Sequence, residues 1–344
     1  MEMTTNRETF IRQTMDKDRE SYVEAMNAGI EQRCEVEKAV ADLWGKGRKN
    51  VYLVGCGGSL AVMEPMRYFI NRFSRLPVYA INSNEFVHMK PADLGADSLY
   101  ITSSYTGTTP ETVAAAQYAK SQGARIIAFT RHPESPLGQA ADYSFKCDSK
   151  LVIMYQIIFY MLMLNGDFSR ENYEELQSCL SRMPDIMYDA RLQAQDKAAD
   201  FAIRYKDEKF FFVTGSGAAY GEAYTFGNCL LEEMLWVYAH PVHAGEFFHG
   251  AFEMLTDETP IIVIQGEDAT RPLSDRVLAF APRHSNKVIH VDSAEYAPEI
   301  KGTLMREIFT PFILSEVLRV YAYKLSITRQ HPMTIRRYMF NAEY

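Results

Sequence analysis

The segment Leu231–Gly250 holds two kinds of side chain that can transfer protons. They are two adjacent carboxylates and three of the eight histidines of the sequence: Glu232, Glu233, His240, His243 and His249. The residues around the two acids are apolar, and their spacing predicts a helix that runs from Glu222 to Tyr238. A carboxylate on a largely buried helix is typical of sites for acid–base catalysis. A helix whose acids simply face water is the simpler interpretation of this segment taken alone.

The three histidines do not have the spacing of a metal site. They are not at the i, i+4 helical spacing of known metal motifs, and Pro241 would interrupt a helix between them. We therefore predict no metal and no cofactor, and we expect His240 and His243 to be supporting or surface residues.

A glycine-rich loop in the first half has the composition of an anion-binding turn. Gly55-Cys56-Gly57-Gly58-Ser59 follows an apolar strand and precedes a helix, so its amides can face a ligand at the carboxyl end of a sheet. Glycines also allow any strand-to-helix turn to close tightly, which makes this pattern unspecific. The loop matches neither the G-x-G-x-x-G fingerprint nor the GK[ST] of a P-loop.

A second loop in the same half is richer in hydroxyl groups. Five of them lie within seven residues around Gly107, just before a helix opened by Pro110: Ser103, Ser104, Thr106, Thr108 and Thr109. One helix cap needs one hydroxyl, so the surplus favours a phosphate bound by hydroxyls and helix amides, without a lysine. The corresponding loop in the second half, 265–270, carries two carboxylates, which would repel phosphate.

Short apolar strands alternate with helices along the chain. The first half predicts strands at 51–54, 78–81, 98–101, 125–129 and 143–145, and the second half at 210–213, 260–264 and 287–291. Such alternation implies a parallel sheet covered on both faces. The strand–glycine-loop–helix units at 51–74 and 210–238 indicate an internal repeat.

We therefore predict an α/β protein with two doubly wound parallel-sheet domains in tandem, each with flavodoxin-like strand order. The predicted limits are an N-terminal helical arm (1–45, ended by Gly45 and Gly47), a first domain (46–168), connecting helices (169–200), a second domain (201–328) and a C-terminal tail (329–344).

Composition limits the possible partners and the location. The formal net charge of −8 argues against a nucleic-acid binder held by phosphate neutralisation. The five cysteines are scattered without C-x-x-C spacing, which fits reduced thiols. The N-terminus has no apolar signal region, and the apolar run Leu151–Leu164 is too short to span a bilayer and typical of a core helix. We expect a soluble cytoplasmic protein with no nucleic-acid and no membrane partner.

Three motifs of the first half resemble the sugar isomerase (SIS) domain. They are Gly-Cys-Gly-Gly-Ser at 55–59, Ser-x-Thr-Gly-x-Thr-Pro-Glu-Thr at 104–112 and Glu-Ser-Pro-Leu at 134–137. The second half, with Ser216-Gly217, Glu233 and the run Gly245–Gly250, resembles the isomerase half of glucosamine-6-phosphate synthase. The tail from His331 resembles that of the fructosamine-6-phosphate deglycases, and the resemblance covers about residues 35–344. No glutaminase domain precedes it, which disfavours an ammonia-delivering synthase.

The resemblance implies roles for particular residues. It implies that Glu233 is the enolising base and that His249, 16 residues later, is the acid that assists ring opening. The phosphate-binding residues that it implies are Ser59, Ser104, Thr106 and Thr109. Glu232 remains an alternative base if the helix is rotated. In the synthase family the histidine comes from across a dimer interface, so the resemblance implies a homodimer or higher homo-oligomer with a shared active site.

The tail and the loops supply further candidate substrate-binding residues: Gly57, Tyr105, Ser216, Arg336 and Arg337. The synthase tail carries a lysine that forms a Schiff base with the sugar, and this chain has the two arginines there instead. They could bind the substrate's carboxylate or cover the site as a lid.

The expected function is hydrolysis of a 6-phosphorylated sugar–amino acid conjugate, such as fructoselysine 6-phosphate. Enolisation and imine hydrolysis would give glucose 6-phosphate and a free amino acid. An aldose–ketose or amino-sugar phosphate isomerase is the first alternative, and a non-catalytic sugar-phosphate sensor is the second. The amino acid released, and whether the conjugate is of the fructosamine or the glucosamine type, stay open.

Overall fold

A computed structural model describes residues 2–44, 48–339 and 341–343, with side chains from Arg7 onward. Gly45 and Gly47, predicted to end the N-terminal arm, lie outside the described residues. The chain divides into two compact units by its internal contacts. The first unit is Glu20–Pro184, and the second unit combines Met1–Arg19 with Asp185–Tyr344. The domain limits given by the sequence stay a prediction.

The helices alternate with strands through most of the chain. In chain order the described α-helices are α1 (Glu2–Gln13), α2 (Arg19–Ile30), α3 (Arg33–Trp44), α4 (Gly58–Ala61), α5 (Glu64–Phe73), α6 (Ser83–Met89), α7 (Pro110–Ser121), α8 (Pro136–Ala140), α9 (Lys150–Leu164), α10 (Arg170–Leu180), α11 (Met183–Gln193), α12 (Gln195–Tyr205), α13 (Tyr220–Tyr224), α14 (Arg271–Phe280) and α15 (Thr303–Arg329). None of these described helices is long and apolar enough to cross a membrane.

The first unit contains a parallel sheet of five strands. In chain order they are β1 (Asn50–Gly55), β2 (Val78–Asn82), β3 (Ser98–Ser103), β4 (Arg125–Thr130) and β5 (Tyr143–Lys146). Their order in the sheet is β2-β1-β3-β4-β5, which confirms the predicted topology. Because β1 and β3 are neighbours, the loops that follow them leave the same edge of the sheet side by side.

The second unit contains a parallel sheet of four strands, one more than the sequence predicted. They are β6 (Phe210–Gly215), β7 (Tyr238–His243), β8 (Ile261–Gln265) and β9 (Val288–Asp292), in the order β7-β6-β8-β9. This is the order of the first four strands of the first unit. The two units therefore share the topology that the internal repeat indicated.

The predicted helix Glu222–Tyr238 is confirmed as far as Leu235 and is wrong for its last three residues. The chain forms α13 and then a π-helix, Thr225–Met234, and Trp236 at a φ of 56° turns it into β7. Pro241 lies in β7, which pairs only with β6 and can therefore accept a residue without an N–H. Gly227 allows close packing, since a Cβ there would lie 3.2 Å from Pro241. Helical periodicity in the apolar residues continues into the strand, which is why the boundary was misplaced.

Apolar side chains cover both sheets as the parallel topology requires. The predicted core helix is α9, in which 11 of 15 residues are buried. In the second unit, Lys324 of α15 is fully buried and donates hydrogen bonds to the carbonyls of Ile11, Arg12 and Thr14. Those carbonyls end α1, so a single ammonium group fixes the N-terminal helix to α15.

Candidate active site

The glycine loop after β1 forms an open turn in the first unit. Gly57 has a φ of 52°, and a Cβ added there would meet nothing within 4 Å. The loop therefore needs glycine for its left-handed backbone, and open space lies in front of it. Ser59 follows in α4, and its hydroxyl accepts a hydrogen bond of 2.7 Å from Nζ of Lys150.

Lys150 is a residue that the sequence analysis did not select. It opens α9, where a cation is disfavoured by the helix dipole, and the rest of that helix is apolar. A lysine at the first position of an apolar helix is the sequence feature from which its role could have been predicted. The sequence predicted a phosphate bound by hydroxyls and amides alone, and the structure adds an ammonium group beside Ser59.

The hydroxyl loop after β3 is held by bonds among its own side chains. The hydroxyls of Ser104 and Thr109 are 2.8 Å apart, and those of Thr106 and Thr108 are 2.7 Å apart. Thr109 is the N-cap residue of α7, yet its side chain makes no capping bond. The hydroxyls are therefore not consumed as helix caps. Ser103, also expected in the loop, lies fully buried at the end of β3.

Gly107 fixes the shape of the hydroxyl loop against the Glu-Ser-Pro-Leu motif. Its φ is 71°, and a Cβ there would lie 1.9 Å from Oγ of Ser135. Its carbonyl accepts a bond of 3.1 Å from the amide of Leu137. Ser135 in turn caps α8. The motif at 134–137 thus packs against the hydroxyl loop. Only glycine leaves enough room between the motif and the loop.

Tyr105 is the exposed residue at the tip of this loop. Its hydroxyl accepts a hydrogen bond of 2.5 Å from Arg131, whose guanidinium also lies over the tyrosine ring. Arg131 is further paired with Asp148 at 3.2 Å. Tyr105 is therefore held at the rim of the loop by a residue that follows β4.

The loop after β6 in the second unit is filled by a carboxylate of the same chain. Asp268 is only 4% exposed, and it accepts bonds from the amide of Ala218 at 3.1 Å and the amide of Thr270 at 2.8 Å. Gly217 is required there, because a Cβ would lie 2.4 Å from the Asp268 carboxylate. The position that an anion would take on this loop is occupied internally.

Ser216, a predicted substrate-binding residue, belongs to the same arrangement. It is buried, and its hydroxyl accepts a bond of 3.0 Å from the hydroxyl of Thr270. The other acid of the 265–270 loop, Glu267, is paired with Arg306. Both carboxylates that the sequence analysis noted in this loop are thus engaged within the second unit.

Glu233 lies at the end of the π-helix and is paired with the C-terminal tail. Its Oε1 accepts a hydrogen bond of 3.0 Å from Nε of Arg336 and forms an ion pair with Nη2 of the same guanidinium at 2.9 Å. The Glu233 side chain is 27% exposed and that of Arg336 is 15% exposed. Within the described part of the chain, Oε2 of Glu233 accepts no hydrogen bond. One oxygen is therefore anchored by the tail, and the other has no donor among the described residues.

Arg336 is oriented by the tail itself. Its Nη1 donates to the carbonyl of Met333 at 2.7 Å and to that of Ile335 at 3.1 Å. The planar guanidinium is therefore fixed from two sides, by backbone and by carboxylate.

The neighbouring acid, Glu232, points to a different partner. Its Oε1 accepts a bond of 3.1 Å from the amide of Ala239, the second residue of β7. In the π-helix the two acids therefore diverge, and Glu232 supports the strand that follows. This placement weighs against the alternative in which Glu232 is the base.

The three histidines have separate surroundings. His240 lies in β7 with its ring 5.5 Å from that of Phe212. His243 ends the same strand, and its Nδ1 accepts a bond of 3.1 Å from the amide of Gly245. His249 is exposed on a 3-10 turn anchored by the fully buried Phe247. Among the described residues its imidazole makes no hydrogen bond, so it is free to meet a ligand.

Within the described residues, no group of three or more histidine, cysteine, aspartate or glutamate side chains is arranged to hold a metal ion.

Two parallel α/β units with a hydroxyl loop between strand and helix define a protein of the tandem SIS class. The SIS domain model matches residues 46–163. The chain is 38% identical to fructosamine deglycase FrlB of Bacillus subtilis, over 90% of this chain and 97% of that protein. It is 26% identical to fructoselysine 6-phosphate deglycase of Escherichia coli K12, over 84% and 85% of the two chains. The chain therefore belongs to the SIS-domain family, in the branch of the fructosamine deglycases.

Solved structures agree with this assignment. A Bacillus subtilis protein described as a candidate phosphosugar isomerase superposes with a TM-score of 0.86 at 37% identity, covering 92% of this chain and 99% of that one. The C-terminal domain of glucosamine-fructose-6-phosphate aminotransferase from Francisella tularensis superposes with a TM-score of 0.73 at 16% identity, covering 89% and 96%. The second likeness concerns the fold alone.

The lack of room for a Cβ between Gly107 and Ser135 leads to a prediction. Gly107→Ala should lose about 1 kcal/mol of stability from its left-handed backbone and should also displace the hydroxyl loop. We expect glucose 6-phosphate to bind at least about tenfold more weakly, a loss of about 1.4 kcal/mol. Urea unfolding and calorimetric titration measure the two effects.

Gly166→Ala is the matched control. Gly166 also has a positive φ, of 82°, but a Cβ there would meet nothing within 4 Å. This variant should show the loss of stability that the left-handed backbone causes. Its affinity for glucose 6-phosphate should stay unchanged. Equal affinities of the two variants for glucose 6-phosphate would contradict the role given to the hydroxyl loop.

Proposed function

We propose that the protein is a fructosamine-6-phosphate deglycase. It hydrolyses a 6-phosphorylated sugar–amino acid conjugate to glucose 6-phosphate and the free amino acid. The observation that carries this proposal is the carboxylate of Glu233, anchored through one oxygen by Arg336 of the tail and open at the other. Membership of the fructosamine deglycase branch supports it independently.

Glu233 is the base in this proposal. The substrate has a ketone at C2 and a secondary amine at C1, and Oε2 removes a proton from C1 to give the enaminol. Return of a proton to C2 leaves an imine at C1. Water adds to the imine, the amine leaves, and C1 becomes the aldehyde of glucose 6-phosphate. The guanidinium of Arg336 keeps the base in one orientation through these steps.

The sugar phosphate is assigned to the loops of the first unit. Ser59, Ser104, Thr106 and Thr109 supply hydroxyl donors, and Lys150 supplies positive charge beside Ser59. Gly57 leaves room for a phosphate oxygen to approach the backbone, and Tyr105 borders the loop. In the second unit the equivalent position holds Asp268, so we assign no phosphate to that loop.

His249 is assigned the opening of the sugar ring. Its exposed imidazole can donate a proton to the ring oxygen as the C2 ketone forms. Its exposure on a surface turn fits a residue contributed to the site of a second copy, so we propose a homodimer or higher homo-oligomer with a shared active site.

An isomerase would use the same carboxylate and histidine without hydrolysis. Faster turnover of glucosamine 6-phosphate or fructose 6-phosphate than of any fructosamine 6-phosphate would favour that function. A non-catalytic sensor would bind sugar phosphates and turn over none of these compounds.

The assignment of the base predicts unequal effects for the two neighbouring acids. Glu233→Gln should lower kcat on fructoselysine 6-phosphate by about 10²–10⁴-fold, because an amide cannot accept the C1 proton. Binding of glucose 6-phosphate should be retained, since the phosphate loops are untouched. Release of lysine and of glucose 6-phosphate measures turnover.

Glu232→Gln is the matched control for this experiment. Its amide oxygen can still accept the bond from Ala239. We therefore expect kcat to stay within about threefold of the wild type, a smaller change than the loss of one hydrogen bond would cause. The reverse order of effects would make Glu232 the base. Full activity of Glu233→Gln would contradict the proposed mechanism.

The role of His249 predicts rescue by a substrate that needs no ring opening. The 6-phosphate blocks O6, so the sugar closes its ring through O5, and a 5-deoxy analogue stays open. His249→Gln should lower kcat/KM for the normal substrate by about 10²-fold or more and leave that for the 5-deoxy analogue nearly unchanged. Equal losses on both substrates would show that His249 acts at another step.

A further inference from the structure

A basic cavity lies beside the carboxyl end of α15 in the second unit. Its volume is about 580 Å³, and Asp207 is the one acidic residue in its lining. Its basic members are Arg7, Lys206, Lys209, Arg329, His331 and Arg337. The whole chain carries a formal charge of −8, so a concentration of positive charge around one cavity runs against the overall composition.

The positive charges of the basic cavity are not balanced by carboxylates. Arg7 and Arg329 donate to backbone carbonyls, those of Thr328 and Glu208 among them, rather than to acids. Within the described residues, Lys206, Lys209 and Arg337 form no ion pair. Like charges held together around a cavity repel each other unless an anion lies between them. The charge pattern therefore favours an anionic ligand.

His331, Trp236 and Arg337 form one side of the basic cavity. Nε2 of His331 is buried and has no hydrogen-bond partner among the described residues. Its ring lies 4.5 Å from that of Trp236, whose other neighbour is the guanidinium of Arg337 at 4.4 Å. Nε2 has no surface open to the cavity, so His331 contributes to this side of the cavity through its packing against Trp236.

Two residues that line the basic cavity are close in sequence to Glu233 and Arg336. Arg337 directly follows Arg336, which holds Glu233, and Trp236 follows Glu233 by three residues. Neither Glu233 nor Arg336 lines the cavity. The cavity and the Glu233–Arg336 pair are thus joined by short stretches of the same chain.

We propose that the basic cavity binds the carboxylate of the substrate's amino-acid part and selects conjugates that carry one. This inference rests on the proposed function, in which C1 of the sugar and its nitrogen lie at Glu233. Lys206 and Lys209 attract the carboxylate, and Arg337 donates hydrogen bonds to it. The sugar phosphate and the amino-acid carboxylate are then held by different residues, and a neutral amine conjugate lacks the second contact.

The test compares substrates that differ by one carboxylate. The pairs are the lysine and cadaverine conjugates and the glycine and methylamine conjugates of fructose 6-phosphate. The wild type should show a kcat/KM at least about tenfold higher for the carboxylate member of at least one pair. In the double variant Lys206→Met/Lys209→Met that preference should be lost, with kcat/KM for the partner without a carboxylate unchanged within about twofold.

Lys38→Met is the matched control, because Lys38 is an exposed lysine of the first unit outside the basic cavity. Lys38→Met should leave kcat/KM unchanged for both members of each pair. Equal kcat/KM for both members of each pair in the wild type would overturn the proposal, and so would equal losses on both members in the double variant.

A binding measurement separates this proposal from the proposed function. Titration with acetate or glycine should change the fluorescence of Trp236 saturably, and the double variant should bind at least about tenfold more weakly. If no conjugate is turned over but this binding is seen, the proposed function fails and the basic cavity remains a carboxylate site. Absence of binding in the wild type would overturn the cavity assignment whether or not turnover is seen.

Discussion

The ion pair between Glu233 and Arg336 joins two segments that are far apart in the sequence, the π-helix and the C-terminal tail. It anchors one carboxylate oxygen and leaves the other open, which is what a base of fixed direction requires. The π-helix is equally necessary, because it turns the adjacent acid, Glu232, toward the amide of Ala239 instead. The geometry of one helical segment thus gives two neighbouring carboxylates different partners.

The two units share a topology and differ in the loops that end their strands. In the first unit the hydroxyls around Gly107 bond to one another and can exchange those bonds for a phosphate. In the second unit the equivalent loop, after β8, carries Asp268, which accepts bonds from the amide of Thr270 in its own loop and from the amide of Ala218 in the loop after β6. The shared topology therefore includes one open anion loop and one loop closed by an internal carboxylate.

Most of the architecture could be predicted from the sequence, and much of the detail of the site could not. Apolar runs before glycine or hydroxyl loops located β1–β5 and three strands of the second sheet, because a parallel strand is apolar on both faces. β7 was missed since it is a half-exposed edge strand containing Pro241. Lys150 and Arg336 meet Ser59 and Glu233 only through the fold, across 91 and 103 residues, and no local pattern specifies such pairs.

The central claim is that this site enolises a phosphorylated fructosamine at C1. The most direct measurement follows the fate of label in a fructosamine 6-phosphate that carries two deuterons at C1. Proton removal by Glu233 predicts glucose 6-phosphate with a single deuterium at C1, detected by NMR and mass spectrometry of the released sugar. A hexose phosphate that retains both deuterons at C1 would mean that the amine leaves without enolisation, and it would contradict the account.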